Sequence, residues 1–254
     1  MIELNGLCAG YGRRRILHGI TAAFARGSLS VIVGPNGSGK TTLLKAAAAL
    51  IPAESGTLLA NGKSLPDMKP KERARTVAYL AQGGRSVPDM TAAHAVLHGR
   101  FAHLSYPHTY TENDKRIAAA AMERMGVSPF ADRPMAELSG GMRQNVYLAM
   151  ALAQETDYIF LDEPTTYLDV ANRFRLMETL RALADEGKGI VAVLHDLELA
   201  MQFADEITVI QNGICAAKGA PDSLAESGIL DRVFGITLQK IEIKDGSTRY
   251  VACR

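Results

Sequence analysis

SLSVIVGPNGSGKTT, residues 28–42, is the stretch from which the rest of the chain can be read. Val31, Ile32 and Val33 form an unbroken apolar run of the kind a fully buried strand requires, and the run stops at Gly34. The residues that follow fit G-x-x-x-x-G-K-[ST], then continue into TTLLKAAAAL, a helix that must end before Pro52. Glycines let successive backbone N–H groups curl around phosphate oxygens, and the helix N-terminus adds positive potential. Gly34, Asn36, Gly37, Ser38, Gly39, Lys40, Thr41 and Thr42 are therefore the candidate nucleotide contacts. Lys40 is expected on the β and γ phosphates of ATP and Thr41 on Mg²⁺. A strand before, a helix after and every motif position filled separate this from a chance glycine-rich turn.

A phosphate cradle needs a carboxylate at a neighbouring strand end if the nucleotide is to be hydrolysed. YIFLDEPTT (158–166) supplies two. Asp162 closes the apolar run where α/β sheets bind ligands and is the candidate for the magnesium shell. Glu163 faces the other way and is the candidate to orient or deprotonate the attacking water. His195 follows GIVAVL (189–194) at the same topological place on another strand, with the γ phosphate as its expected address.

Helical stretches at 170–186 and 196–204 alternate with these strands, so the core sheet is expected to be mostly parallel with helices on its faces. Residues 1–33 and GTLLANGKSL, turning at Asn61-Gly62, read as short antiparallel strands. From about residue 86 to 150 the texture is rich in Ala, Met, Glu and Arg, with breaks near Pro107, Pro129 and Pro134, and reads as a helical insertion. DEITVIQNGICAAKG and IEIKDGSTRYVACR read as hairpins, the second around Asp245-Gly246. The fold class is thus α/β: a P-loop NTPase core (1–85 and 151–221) with an N-terminal antiparallel β subdomain, an inserted α-helical subdomain (86–150) and a C-terminal extension (222–254).

Composition narrows the setting. The 28 basic and 27 acidic residues leave a net charge of +1, so no global field draws the chain to nucleic acid. Cys8, Cys215 and Cys253 are far apart and show no CxxC spacing, which suits a reducing compartment. No signal-peptide pattern opens the chain and no apolar run reaches the roughly 20 residues of a membrane span, so any membrane crossing is expected of another chain. His94, His98, His103 and His108 lack a completing ligand for a metal and read as a polar face or loop. Arg13, Arg14 and Arg15 read as a solvated turn, and the ten methionines as core filler.

LSGGMRQNVYLAMALAQ (138–154), just upstream of YIFLDEPTTYLD, resembles the signature sequence of the ABC ATPase family. Ser139 can cap a helix there while Gly140 and Gly141 leave backbone N–H groups bare, a second anion site. The resemblance implies a homodimer sandwiching two ATP, each held by one subunit's P-loop and the other's Ser139, Gly140 and Gly141. It also implies that Gln82 of VAYLAQ contacts magnesium, that Tyr11 of AGYGRRR stacks on adenine, that Leu168-Asp169 crosses the dimer interface, and that His195 is the switch histidine. Met142 and Asn145 depart from the usual signature, Met142 removing a polar side chain near the partner's nucleotide.

HGRFAHL (98–104) and DEPTTYLD are similar to segments of ATPases serving iron-siderophore, haem and cobalamin uptake. That similarity implies an importer subunit on the cytoplasmic face of the membrane, partnered by separate transmembrane permease subunits and, indirectly, a substrate-binding protein. The competing expectation is a non-transport ABC ATPase that clamps a soluble partner, as in iron-sulfur assembly.

Overall fold

The computed structural model describes residues 1–82, 87–166, 168–243 and 248–253. The chain opens with β1 (Ile2–Tyr11), β2 (Arg14–Phe24) and β3 (Ser28–Val33), then α1 (Lys40–Ala47), β4 (Ala53–Ala60), β5 (Lys63–Ser64), α2 (Pro70–Thr76) and β6 (Val77–Leu80). The helical stretch follows: α3 (Ala92–Leu97), a 3-10 segment at His98–His103, α4 (Glu112–Arg124) and α5 (Gly140–Ala153). Next come β7 (Tyr158–Asp162), α6 (Val170–Asp185), β8 (Gly189–Val193), α7 (Leu197–Phe203), β9 (Glu206–Gln211) and β10 (Ile214–Gly219). The last elements are α8 (Pro221–Glu226), α9 (Ile229–Phe234), β11 (Thr237–Glu242) and β12 (Thr248–Cys253). Asp245-Gly246, the expected turn of the last hairpin, lies outside the described residues.

The six-stranded core sheet runs β10-β9-β3-β8-β7-β6. Every pairing from β9 to β6 is parallel, and only β10 is antiparallel. All five residues of β7 and of β8 are buried, as strands covered on both faces must be. Alternation sorts their side chains into two layers. Phe160, Val191 and Val193 pack with Leu43 and Leu44 of α1 and with Ile2, Leu4 and Phe24 of the four-stranded antiparallel sheet β2-β1-β4-β5. Ile159, Leu161, Ile190 and Ala192 pack on the opposite face with Leu176 and Leu180 of α6 and with the apolar faces of α3, α4 and α5. The α/β class with a parallel-dominated sheet, an antiparallel N-terminal sheet and helices therefore holds.

Asn61-Gly62 and Asn212-Gly213 all take positive φ, the backbone a tight hairpin needs, so both hairpin turns fall at Asn-Gly as read. Helix α1 is shorter than its alanine run suggests. It ends at Ala47, and Ala49 at φ 53 turns the chain left-handed before Pro52.

Buried ion pairing ties the helical stretch together. Arg100 is 4% exposed; its Nε donates to Asp114 Oδ1 at 3.0 Å and its Nη1 to the Ala153 carbonyl at 2.8 Å and Glu155 Oε2 at 2.7 Å. A guanidinium at the C-terminal end of α5 satisfies a carbonyl that the helix itself leaves open. Asp114 completes a capping box on Thr111 at the start of α4, and the Thr111 hydroxyl and N–H, with Arg100, hold its carboxyl at about 2. Of the four histidines nearby, His98 meets the Tyr110 hydroxyl, His103 the Gln154 carbonyl, and His108 lies on the Phe101 ring. Among the described residues no three His, Cys, Asp or Glu side chains converge as a metal site.

Candidate functional site

The loop between β3 and α1 is shaped by its glycines. A Cβ on Gly34 would lie 2.1 Å from the Ile210 carbonyl oxygen, and Gly39 at φ 107 occupies the left-handed position that starts α1. Any other residue at Gly34 would push β3 away from β9. Lys40, the first residue of α1, is buried at 6% exposure, and its Nζ donates to the carbonyls of Gly34 (2.8 Å) and Pro35 (3.1 Å). Burial lowers its pKa, and the charges of Glu163 and Asp162 oppose that fall. An ammonium so placed, at the mouth of a loop of bare N–H groups, suits an anion. Ser38 Oγ is buried against Gly34 with no hydrogen-bond partner among the described residues.

Across the cradle stands β7. The Thr41 hydroxyl donates to Asp162 Oδ1 at 2.9 Å and the Tyr79 hydroxyl to Asp162 Oδ2 at 3.1 Å. Burial raises the Asp162 pKa, the two hydroxyl bonds pull it back, and the neighbouring Glu163 charge adds to the rise. Glu163 takes φ 52, uncommon for a side chain with a Cβ, and this turn sends its carboxylate away from Asp162. Its Oε1 accepts from His195 Nε2 at 2.5 Å, and its Oε2 accepts from Gln82 Nε2 and, at 3.3 Å, from the Thr166 hydroxyl. The imidazole therefore carries its proton on Nε2 in this arrangement. Oxygen ligands are what a hard divalent cation takes, and the Thr41–Asp162 pair fits one.

The structure thus brings Lys40, Thr41, Asp162, Glu163, Gln82 and His195 to one edge of the sheet. Gln82 sits on Glu163 and makes no contact with Thr41 or Asp162. Tyr11 is the last residue of β1 and half-exposed, its ring free of a stacking partner among the described residues. Arg15 of the basic run pairs with Glu54 at 2.7 Å on the surface. The signature residues stand apart: Ser139 N-caps α5, accepting from the Met142 N–H at 3.3 Å, while Ser139 and Gly140 face solvent. Gly141 is where Leu168 packs; a Cβ there would lie 3.2 Å from Leu168 Cδ2. Met142 is partly buried against the core. Sequence reading missed Tyr79, Thr166 and the Gly141–Leu168 contact. Tyr79 carries a faint signal, sitting three residues before Gln82 in a strand, but only pairing register directs its hydroxyl to Asp162.

A strand-loop-helix phosphate cradle facing two divergent carboxylates at the C-terminal edge of a parallel sheet defines a P-loop ATPase. Comparison with known proteins narrows this. The ABC transporter family matches residues 17–166, and the chain belongs to that family as an ATP-binding, ATP-hydrolysing member. It is 35% identical over 239 residues to the petrobactin import ATP-binding protein of Bacillus anthracis, covering 94% of this chain and 88% of that one. The hemin import ATP-binding protein of Roseobacter denitrificans is 39% identical over 248 residues, with 94% and 92% covered. Among solved structures, a dimeric ATP-binding cassette in a post-hydrolysis state bound to ADP and phosphate superposes with a TM-score of 0.77 at 26% identity, over 87% of this chain and 99% of that one.

Proposed function

We propose that this chain is the ATPase subunit of an ABC importer for an iron chelate, haem or cobalamin, driving transport by ATP-dependent closure of a homodimer. The observation that carries the reading is the divergence of two adjacent carboxylates. Asp162 is buried and bonded to the half-buried Thr41 beside the phosphate cradle, whereas Glu163 is turned out to Gln82 and His195. One would serve nucleotide and cation; the other would handle water.

In this reading the P-loop N–H groups and Lys40 hold the β and γ phosphates, and Lys40 leaves its own carbonyl partners to do so. Tyr11, exposed beside the cradle, stacks on adenine. Thr41, Asp162 and Gln82 would hold Mg²⁺, which would screen the phosphate charge when bound. Glu163 accepts the proton of the attacking water, and His195 fixes the carboxylate orientation through Nε2. Ser139, Gly140 and Gly141 cap the γ phosphate of the partner's nucleotide, so closure has a structural reason: ATP favours the closed state only through contacts made there. Loss of the γ phosphate removes them.

Among the described residues no helix is long and apolar enough to cross a membrane, which fits a peripheral subunit docked on separate permease chains at the cytoplasmic face. The importer assignment and the iron-chelate and haem cargo rest on the named import ATP-binding relatives, cobalamin on the sequence resemblance alone, and the dimer on the dimeric cassette.

Light scattering in excess MgATP tests the reading with Glu163→Gln, expected to lower turnover by about a thousandfold while retaining nucleotide. A dimer that forms in this variant and is lost on adding Ser139→Arg supports the sandwich. An ATP-saturated chain that stays monomeric, alone and with permease, would refute it.

A further inference from the structure

We propose that Tyr79 is a positioning residue for the Asp162 carboxylate, fixing Oδ2 so that Oδ1 and the Thr41 hydroxyl stay together as one oxygen face toward the divalent cation that accompanies ATP. The inference rests on the nucleotide site proposed above.

Strand register produces the arrangement. β6 and β7 run parallel with Tyr79 opposite Phe160, so Asp162 lies two residues further along the neighbouring strand on the same face of the sheet. That diagonal is within reach of an aromatic side chain. The Tyr79 ring packs with the layer that contains Phe160, Leu43 and Leu44, and its hydroxyl emerges at the strand end, 3.1 Å from Asp162 Oδ2. Tyr158, at the other end of β7, shows that such a contact is not automatic: it is fully buried and its hydroxyl finds no partner among the described residues.

The terminal torsion of an aspartate is broad, so a carboxylate anchored by one oxygen rocks about its Cβ–Cγ bond. Thr41 alone is a poor anchor. Its hydroxyl oxygen is the group that would turn to a cation, which gives up or weakens its bond to Oδ1. Tyr79 donates to the other oxygen, from a partly buried ring packed against the core, and has no part in that exchange. Asp162 and Thr41 touch the cation in this scheme; Tyr79 acts through Asp162.

The test is a MgCl₂ titration of a fluorescent, non-hydrolysable ATP analogue bound to wild type, Tyr79→Phe, Tyr79→Leu and Thr41→Ala, with a parallel arm in EDTA. Tyr79→Phe keeps the ring and removes one hydrogen bond to a charged group. It is expected to raise the half-saturating Mg²⁺ concentration about tenfold while leaving affinity in EDTA and the thermal midpoint near wild type. An unshifted Mg²⁺ requirement in Tyr79→Phe overturns the inference, and so does an equal shift in EDTA. A shift confined to Tyr79→Leu also overturns it, because ring packing would then be the whole role. If wild type and Thr41→Ala are both indifferent to Mg²⁺, the proposed nucleotide site fails first, and this inference fails with it.

Discussion

The P-loop edge and the signature helix are both candidate anion sites, and they are finished to different degrees. At the P-loop edge the charged groups already have partners: Lys40 rests on two carbonyls, Asp162 on two hydroxyls, Glu163 on Gln82, His195 and Thr166. At the start of α5, the Ser139 side chain makes one bond, to its own helix, and Gly140 lies open. The far end of that helix is the reverse, clamped by the buried Arg100–Asp114 pair, with Glu155 joining it from the surface. On the proposed reading, the difference teaches that preorganisation is built where one chain acts alone, while a site that a second copy would complete is left bare at its tip and braced from behind.

The largest expected effect lies on the finished side. Lys40→Ala should weaken binding of a fluorescent ATP analogue about a hundredfold, by removing a charge partner from a desolvated phosphate site. Calorimetry finding affinity within a few-fold of wild type would mean the cradle does not depend on its ammonium, and the contrast would collapse.

Next is the brace. Arg100→Met leaves the Asp114 carboxylate buried without its cation, which should cost about 3 kcal/mol in urea unfolding while sparing the P-loop. A loss below about 1 kcal/mol would show that the cap on Thr111 alone satisfies Asp114.

The smallest is Thr111→Ala, about 1 kcal/mol at neutral pH. Asp114 sits lower in the fold than when unfolded, so its contribution is fully present above about 3.8 and drains away as pH falls toward about 2. Thermal midpoints measured between pH 5 and 2.5 should therefore fall less steeply in Thr111→Ala than in wild type. Parallel curves would show that this threonine does not set the titration.

Much of this was legible in the residues. Continuous apolar runs ending in glycine or aspartate marked β3, β7 and β8, because a strand covered on both faces cannot alternate. Asn-Gly pairs marked the hairpin turns, and the P-loop was legible because its chemistry is local to nine consecutive residues. Asp162 and Glu163 could be named because a strand end places neighbours on opposite faces. The helical stretch was legible only as texture. Arg100 was read only as part of HGRFAHL, a segment similar to one in importer ATPases, and nothing local announced that it is buried between α4 and the end of α5.

The sequence by itself therefore determined the fold class and the family and marked a candidate phosphate cradle, since those depend on patterns short enough to lie within one segment. Only the tertiary structure decided which groups hold them in place. The Tyr79 bond to Asp162, the Arg100 clamp and the seating of Leu168 on Gly141 join residues 83, 14 and 27 positions apart. Such contacts come from strand register and helix packing, which no single segment encodes.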